Sequence, residues 1–176
     1  MLLSDLLKDI DYIECDKLDN PIISSINYDS RLVEKGSIFV AIEGNSYNGN
    51  NFINDALNRG AAVIVSEKKI NIGKSTPFIR VISSRKALAE ISKVFYNSSC
   101  ERMRMVGITG TNGKTSTCFM VKSIMNNKFG NTGMISTIHS EYRNRILPSE
   151  RTTPESSDLH SIIFDMYKSE CNSVVL

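Results

Sequence analysis

Residues 104–116 read RMVGITGTNGKTS, and this stretch decides the fold of the second half of the chain. It predicts a strand over Arg104–Thr109, a glycine-rich turn, and a helix from Lys114 to about Asn126. The elements predicted after it are a strand at about Met134–Ile138, a polar loop to Pro154, a helix at about Glu155–Lys168 and the start of a strand at Ser173–Leu176. This alternation predicts a parallel, doubly wound α/β sheet.

The preceding residues, 1–100, predict a small mixed α/β domain. Leucines at helical spacing predict an amphipathic helix over the N-terminal residues 1–16, and the acidic residues in this stretch argue against a signal peptide. The other predicted elements are strands at Ile22–Asn27, Ser37–Ile42, Ala62–Ser66 and Phe78–Ile82, and helices at Asn51–Asn58 and Ser84–Tyr96. Residues 97–103 are interpreted as a linker, which gives domains at 1–100 and 101–176.

Composition excludes several classes of protein. With 21 basic and 19 acidic residues among 176, the net charge of +2 is too balanced for a nucleic-acid or membrane-surface binder. Mean hydropathy is −0.15, and no apolar run is long enough to cross a bilayer. The 4 cysteines and 2 histidines show no metal-ligand spacing, so we expect reduced thiols in the cytoplasm, without disulfides or a zinc site.

The glycine-rich turn has the chemistry of a phosphate loop. Glycines let successive backbone N–H groups point at phosphate oxygens, and the helix beginning near Lys114 adds its positive end. Lys114 can reach the β- and γ-phosphates, and Thr115 offers a hydroxyl to Mg²⁺. The match to G-x-x-x-x-G-K-[ST] is imperfect, because Ile108 stands where the first glycine belongs. A turn with a chance Lys-Thr pair is the alternative, and the strand–loop–helix context favours the phosphate loop.

Residues 109–116, TGTNGKTS, resemble the ATP loop of the Mur ligases, the amide-forming enzymes of peptidoglycan synthesis. Folylpolyglutamate and cyanophycin synthetases share this superfamily. Tyr28–Arg31 (YDSR), followed by residues 36–41 (GSIFVA) and Gly44, resembles the uridine-nucleotide domain of the family.

The remaining segments indicate which members of the family the chain resembles most. Phe52 with Gly60–Ala62 is similar to a helix and strand of the same uridine-nucleotide domain. Residues 136–138 (STI) and 152–155 (TTPE) resemble the tripeptide-forming members. The segments occur in the family's order and cover nearly the whole chain.

The resemblance implies an ATP-dependent ligase that adds meso-diaminopimelate or L-lysine to UDP-N-acetylmuramoyl-L-alanyl-D-glutamate. In such enzymes ATP converts a carboxylate into an acyl phosphate, which the incoming amine attacks. The implied small-molecule partners are this UDP-sugar peptide and ATP, with Mg²⁺ as cofactor and neither nucleic acid nor membrane insertion involved.

The resemblance also assigns residues. Lys114 would contact the transferring phosphate as the catalytic residue, and Thr115 would bind Mg²⁺. Ser30 would contact the UDP end of the substrate, and Thr152 and Thr153 the UDP-sugar. The residues expected to hold ATP are Gly110, Thr111, Asn112, Gly113, Lys114, Thr115 and Ser116. From the residues alone, Ser30 also suits a turn and Thr153 a helix cap.

The sequence departs from the family pattern at four positions. Asn48 and Asn50 stand where the family usually has Asp and His. Ser136 replaces a glycine, and Arg151 replaces an asparagine beside the two threonines.

The resemblance implies that the ATP-binding half of the family pattern is incomplete in these residues and that a C-terminal ligase domain is missing from them. We therefore expect an N-terminal fragment that does not catalyse ligation alone and whose partner is the missing part of the ligase. The alternatives are a non-catalytic module that binds UDP-sugars or nucleotides, another Mur-type ligase, or an unrelated P-loop protein such as a small kinase. A kinase is disfavoured because about 100 residues precede the loop.

Overall fold

The computed structural model describes residues 1–8, 10–16, 19–44, 47–70, 76–149 and 154–176. The chain divides into two compact units, Met1–Phe95 and Tyr96–Leu176. Each unit is built on a mixed five-stranded sheet with helices packed on it. The predicted α/β fold class is therefore confirmed.

The first unit contains five strands in the order β1-β5-β4-β3-β2. They are β1 (Tyr12–Asp16), β2 (Ser25–Asn27), β3 (Ser37–Val40), β4 (Val63–Ser66) and β5 (Phe78–Val81). The helices are α1 (Leu3–Leu6), α2 (Ile53–Asn58) and α3 (Ser84–Phe95), with 3-10 turns at Ser30–Leu32 and Gly49–Phe52. β2, β3, β4 and β5 are parallel, and β1 runs antiparallel to β5.

The core of the first unit lies on both faces of this sheet. All four residues of β3 are buried. Ile38 packs in one cluster with Leu6 of α1 and Leu88 of α3, whereas Phe39 packs in another with Ala56 of α2. Parallel strands covered on both faces have continuous apolar runs, which is why SIFV predicted a strand so clearly.

The second unit has the strand order β6-β10-β7-β8-β9. The strands are β6 (Arg104–Val106), β7 (Thr132–Ile135), β8 (His139–Tyr142), β9 (Arg145–Pro148) and β10 (Ser173–Val175). The helices are α4 (Lys114–Phe129) and α5 (Ser156–Lys168), and Ser99–Arg102 forms a 3-10 turn within the stretch expected to be a linker. β6, β10 and β7 are parallel, whereas β8 and β9 are antiparallel.

The two long helices of the second unit cover opposite faces of its sheet. Val174 packs in a cluster with Met166 of α5. The next residue, Val175, packs with Cys118 and Met125 of α4. Adjacent strand residues point to opposite faces, so this pair places one helix above the sheet and one below it.

The predicted N-terminal helix was wrong in extent. The helix ends at Leu6, and Tyr12–Asp16 forms the strand β1 beside β5. Backbone hydrogen bonds from Leu3 N to Pro21 O (3.1 Å) and from Ile23 N to Met1 O (2.7 Å) hold the N-terminus against the segment before β2. The leucine spacing indicates only that one side of this segment is buried. A short helix followed by a strand can bury the same residues.

The polar loop predicted before Pro154 was also wrong, because it contains the hairpin of β8 and β9. All four residues of β9 are exposed. A strand at the edge of a sheet is held by backbone hydrogen bonds to one neighbour, so it needs no buried apolar face.

Two isoleucines near β5 provide a matched test of this packing. Ile79 is 0% exposed within β5, whereas Ile82, just beyond the strand, is 76% exposed. We expect Ile79→Ala to lower the free energy of unfolding by about 2–5 kcal/mol, because it leaves a cavity between sheet and helices. Ile82→Ala should change it by less than about 0.5 kcal/mol. Urea denaturation followed by circular dichroism measures both, and equal losses would contradict this fold.

Candidate functional site

The glycine-rich loop joins the end of β6 to the start of α4. Gly113 precedes the helix with φ +77° and ψ −3°, a left-handed conformation that favours glycine. α4 has 16 residues and no acidic residue in its first turn. Its positive end and its free N–H groups therefore face an exposed loop, which is the arrangement that binds anions.

The space around the loop is open. A Cβ atom at Gly107 or at Gly113 would meet no atom within 4 Å. At Gly113 the positive φ explains the glycine. At Gly107 neither backbone strain nor protein packing requires one, and the open space leaves room for a ligand to approach the backbone. The loop thus fits a bound phosphate group.

Lys114 lies across this loop. Its Nζ donates hydrogen bonds to Gly110 O at 2.5 Å and to Thr111 O at 3.4 Å. These carbonyls hold the ammonium group within the curve of the loop, where an entering phosphate would meet it. The positive charge and the helix end therefore act on the same place.

The turn after β7 reaches the first turn of α4. The Oγ1 atoms of Thr115 and Thr137 are 2.9 Å apart and share one hydrogen bond. Ser136 braces this turn, because its Oγ donates to His139 O (2.8 Å) and accepts from His139 N (3.2 Å). Ser136, one of the four departures from the family pattern, thus uses its hydroxyl to hold the turn that presents Thr137.

A cavity of about 410 Å³ lies beside the loop. Its lining includes the polar side chains of Thr109, Lys114, Thr115 and Thr137 and the apolar side chains of Ile108 and Ile135. Cys118 also lines it, and burial raises the pKa of the Cys118 thiol, so this group stays protonated at neutral pH. The cavity combines an apolar wall with a few polar groups, as small-molecule sites do.

A half-buried ionic cluster connects α4 to the hairpin. Lys122 Nζ donates to Glu141 Oε1, and His139 Nε2 lies 3.2 Å from Glu141 Oε2. The hydrogen bond from Lys122, with a smaller contribution from His139, lowers the pKa of Glu141 below its ordinary value. His139 shows no metal-ligand spacing in the sequence, and Lys122 and Glu141 lie 19 residues apart, so no local pattern predicts this cluster.

Ser30, the predicted contact for the UDP end of the substrate, begins a 3-10 turn in the first unit and is buried. The Asp29 carboxylate accepts a hydrogen bond from Arg31 N (2.9 Å) and forms an ion pair with Arg31 Nη2 at 2.6 Å. This Asx turn holds the Asp-Ser-Arg segment in one conformation. Ser30 and the glycine-rich loop lie in different units.

Two departures from the family pattern have a structural role. Asn48 caps the 3-10 turn at Gly49–Phe52, its Oδ1 accepting hydrogen bonds from Asn50 N (2.9 Å) and Asn50 Nδ2 (2.7 Å). Ser66 Oγ donates to Asn50 Oδ1 at 2.6 Å. The two asparagines thereby connect this loop to the end of β4.

Thr152, Thr153 and Arg151 lie outside the described residues. Across the part of the chain that the structure describes, no three His, Cys, Asp or Glu side chains gather in a way that would hold a metal ion. None of the helices in those same residues has the length and apolar character needed to cross a membrane.

The second unit thus has the strand, glycine-rich loop and helix of a P-loop fold. Two family models match the chain: "Mur ligase family, catalytic domain" over residues 22–96 and "Mur ligase middle domain" over residues 108–176. The chain belongs to the Mur ligase family, which confirms the resemblance seen in its motifs.

Two relatives with the same name are similar to almost the whole of this chain. The chain is 41% identical over 176 residues to the UDP-N-acetylmuramoyl-L-alanyl-D-glutamate--2,6-diaminopimelate ligase of Alkaliphilus oremlandii, covering 100% of this chain and 36% of that protein. It is 36% identical over 166 residues to the ligase of the same name from Clostridium perfringens, covering 94% and 34%. The chain thus spans about a third of the length of these relatives.

Solved structures share the fold. A UDP-N-acetylmuramoyl-L-alanyl-D-glutamate--2,6-diaminopimelate ligase superposes with a TM-score of 0.80 at 21% identity, covering 99% of this chain and 36% of that one. The MurF ligase of Thermotoga maritima in complex with ADP gives a TM-score of 0.57 at 25% identity, covering 86% and 31%.

The ionic cluster predicts a pH-dependent contribution to stability. A carboxylate whose pKa is lowered in the folded protein stabilises it above the ordinary carboxyl pKa, and this contribution is lost as pH falls towards the lowered value. We expect Glu141→Gln to lower the free energy of unfolding by about 1–2 kcal/mol at neutral pH. The difference from wild type should shrink as the solution becomes more acidic than an ordinary glutamate pKa.

An exposed ion pair is the control for this experiment. The Glu170 side chain is 82% exposed and pairs with Arg143, whereas the Glu141 side chain is 20% exposed. Glu170→Gln should change stability by less than about 0.5 kcal/mol. Denaturant titrations across the acidic range compare the variants, and a Glu141→Gln deficit that does not vary with pH would contradict the assignment.

Proposed function

We propose that the chain provides two substrate-binding units of an ATP-dependent amide ligase of peptidoglycan precursor synthesis. The second unit would bind ATP, and the first would bind the UDP end of UDP-N-acetylmuramoyl-L-alanyl-D-glutamate. The observation that carries the proposal is the open glycine-rich loop at the positive end of α4, with Lys114 lying across it. The substrate is taken from the names of the two related ligases.

The proposed reaction requires residues that bind the ATP phosphates and offset their negative charge. A carboxylate resists attack by an amine, so ATP would convert the substrate carboxylate into an acyl phosphate that releases phosphate on attack. The loop N–H groups and Lys114 would bind the ATP phosphates and offset the charge that moves during transfer. The other residues proposed to hold ATP are Gly110, Thr111, Asn112, Gly113, Thr115 and Ser116.

The donors near the loop fit a magnesium ion carried by the nucleotide. Hard cations prefer oxygen ligands, and Mg²⁺ in such sites takes few of them from the protein and the rest from phosphates and water. Thr115, at the start of α4, would hold it through its hydroxyl oxygen. Bound there, the ion would neutralise phosphate charge.

In the first unit, Ser30 would contact the UDP group. Thr152 and Thr153, which belong to the second half of the chain, would contact the UDP-sugar. The bracing of Ser30 by the Asp29 turn supports a fixed role for this residue. The relatives' names favour diaminopimelate over lysine as the added amino acid. We propose a cytoplasmic location and a requirement for the rest of the ligase before ligation occurs.

Lys114→Met tests the nucleotide site directly. Isothermal titration of the 176-residue chain with ADP and Mg²⁺ should show binding that this variant weakens at least about tenfold, because a charged hydrogen-bond donor is lost. Lys128→Met, which removes a charge from the last turn of the same helix, should leave the affinity within about twofold. Equal effects of the two substitutions, or no binding by wild type, would refute the proposal.

Ser30→Ala tests the first unit independently. Titration of the chain with UDP-N-acetylmuramoyl-L-alanyl-D-glutamate should show affinity that falls about fivefold when the Ser30 hydroxyl is removed. Ser24→Ala removes an exposed hydroxyl that donates to Lys35 O, and it should bind like wild type. If both serine variants bind equally well, Ser30 does not contact this ligand.

A further inference from the structure

Thr115 and Thr137 come from different elements and meet at the candidate nucleotide site. Thr115 lies in the first turn of α4, and Thr137 lies in the turn between β7 and β8, with 2.9 Å between their Oγ1 atoms. Both side chains line the cavity that Lys114 also lines. This contact joins the loop region to a segment to which the family resemblance assigned no role.

A hydroxyl group has one proton and two lone pairs. When its oxygen binds a cation, the proton must point away from the cation towards an acceptor. Thr117, two residues further along the helix, directs its hydroxyl to Gly113 O at 2.9 Å. The hydroxyl of Thr115 instead lies 2.9 Å from that of Thr137, and because either oxygen can donate in this pair, Thr137 is able to accept the Thr115 proton.

Hydrogen bonds and an ion pair hold the turn that carries Thr137 in place. The Ser136 hydroxyl bonds to both the backbone N and O of His139, which closes the turn. The Lys122–Glu141 pair connects α4 to β8, the strand that follows the turn. Thr137 is exposed at the tip of a turn that is fixed to the helix carrying Thr115.

We propose that Thr137 is a positioning residue that accepts the Thr115 proton and so directs a Thr115 lone pair at the Mg²⁺ ion accompanying the nucleotide. This inference rests on the proposed nucleotide-binding function. Ser136 acts indirectly, because its hydroxyl closes the turn that keeps Thr137 within hydrogen-bond distance of Thr115. The departure from glycine at position 136 therefore contributes to the site.

The test separates metal-dependent from metal-independent binding. Isothermal titration measures the affinity of the 176-residue chain for ADP with saturating Mg²⁺ and again with EDTA. Thr137→Val keeps the side-chain shape and removes the hydroxyl. It should weaken binding about fivefold to tenfold with Mg²⁺ and by less than about twofold in EDTA. Thr137→Ser, which restores a hydroxyl, should bind within about twofold of wild type under both conditions.

Thr117→Val is the matched control, since it removes a hydroxyl of the same helix that donates to Gly113 O and not to Thr115 or Thr137. It should leave the ratio of the two affinities unchanged. As a spectroscopic check, Mn²⁺ with ADP should give an electron paramagnetic resonance spectrum that Thr137→Val alters and Thr137→Ser preserves. Circular dichroism confirms that each variant is folded.

Each outcome decides the question. Selective loss of the Mg²⁺-dependent affinity in Thr137→Val supports the positioning role. Equal losses with and without Mg²⁺, or no loss at all, overturn it while leaving nucleotide binding intact. Failure of the wild-type chain to bind ADP under either condition overturns the proposed function itself, and the role of Thr137 falls with it.

Discussion

The second unit depends on β10, because this strand forms hydrogen bonds with two neighbours at once. It pairs in parallel with β6 on one side and β7 on the other. At its end, Leu176 N donates to Val106 O (2.9 Å) and Ile108 N donates to Leu176 O (2.6 Å). Since the three strands are parallel, the segments that follow β6 and β7 emerge at the same edge of the sheet. The meeting of Thr115 and Thr137 is therefore a consequence of strand order.

Helix α4 is held at this edge partly by polar contacts. Cys118 and Met125 are its buried hydrophobic residues, whereas Met120 and Ile124 are largely exposed. A helix with so few buried side chains gains little from apolar burial alone. The half-buried link from Lys122 to β8 thus matters for orientation as well as stability, because it constrains the face on which Thr115 lies.

Some of these elements could be predicted from the sequence and others could not, and the difference has physical reasons. β3, β4 and α3 were predicted because burial leaves continuous or periodic apolar patterns. The β8–β9 hairpin was missed because β9 is exposed and its turn places Arg143 at φ +50°, where glycine or asparagine is the usual signal. The glycine-rich loop is local and could be predicted. The Thr115–Thr137 contact spans 22 residues and follows only from the sheet.

The positions at which the chain departs from the family pattern differ from those at which it keeps the family residue. Asn48 and Ser136 hydrogen-bond within their own loops, and Asn50 also accepts a hydrogen bond from Ser66 of β4, so at these positions the residues of this chain hold the backbone in place. Gly113 needs a left-handed backbone, and Lys114 needs a long cationic side chain. No other residue type meets either need equally well, and there the chain keeps the family residues. The three departures that the structure describes therefore lie where a side chain hydrogen-bonds to neighbouring backbone or side chains, whereas the glycine-rich loop keeps the residues that supply backbone freedom and charge.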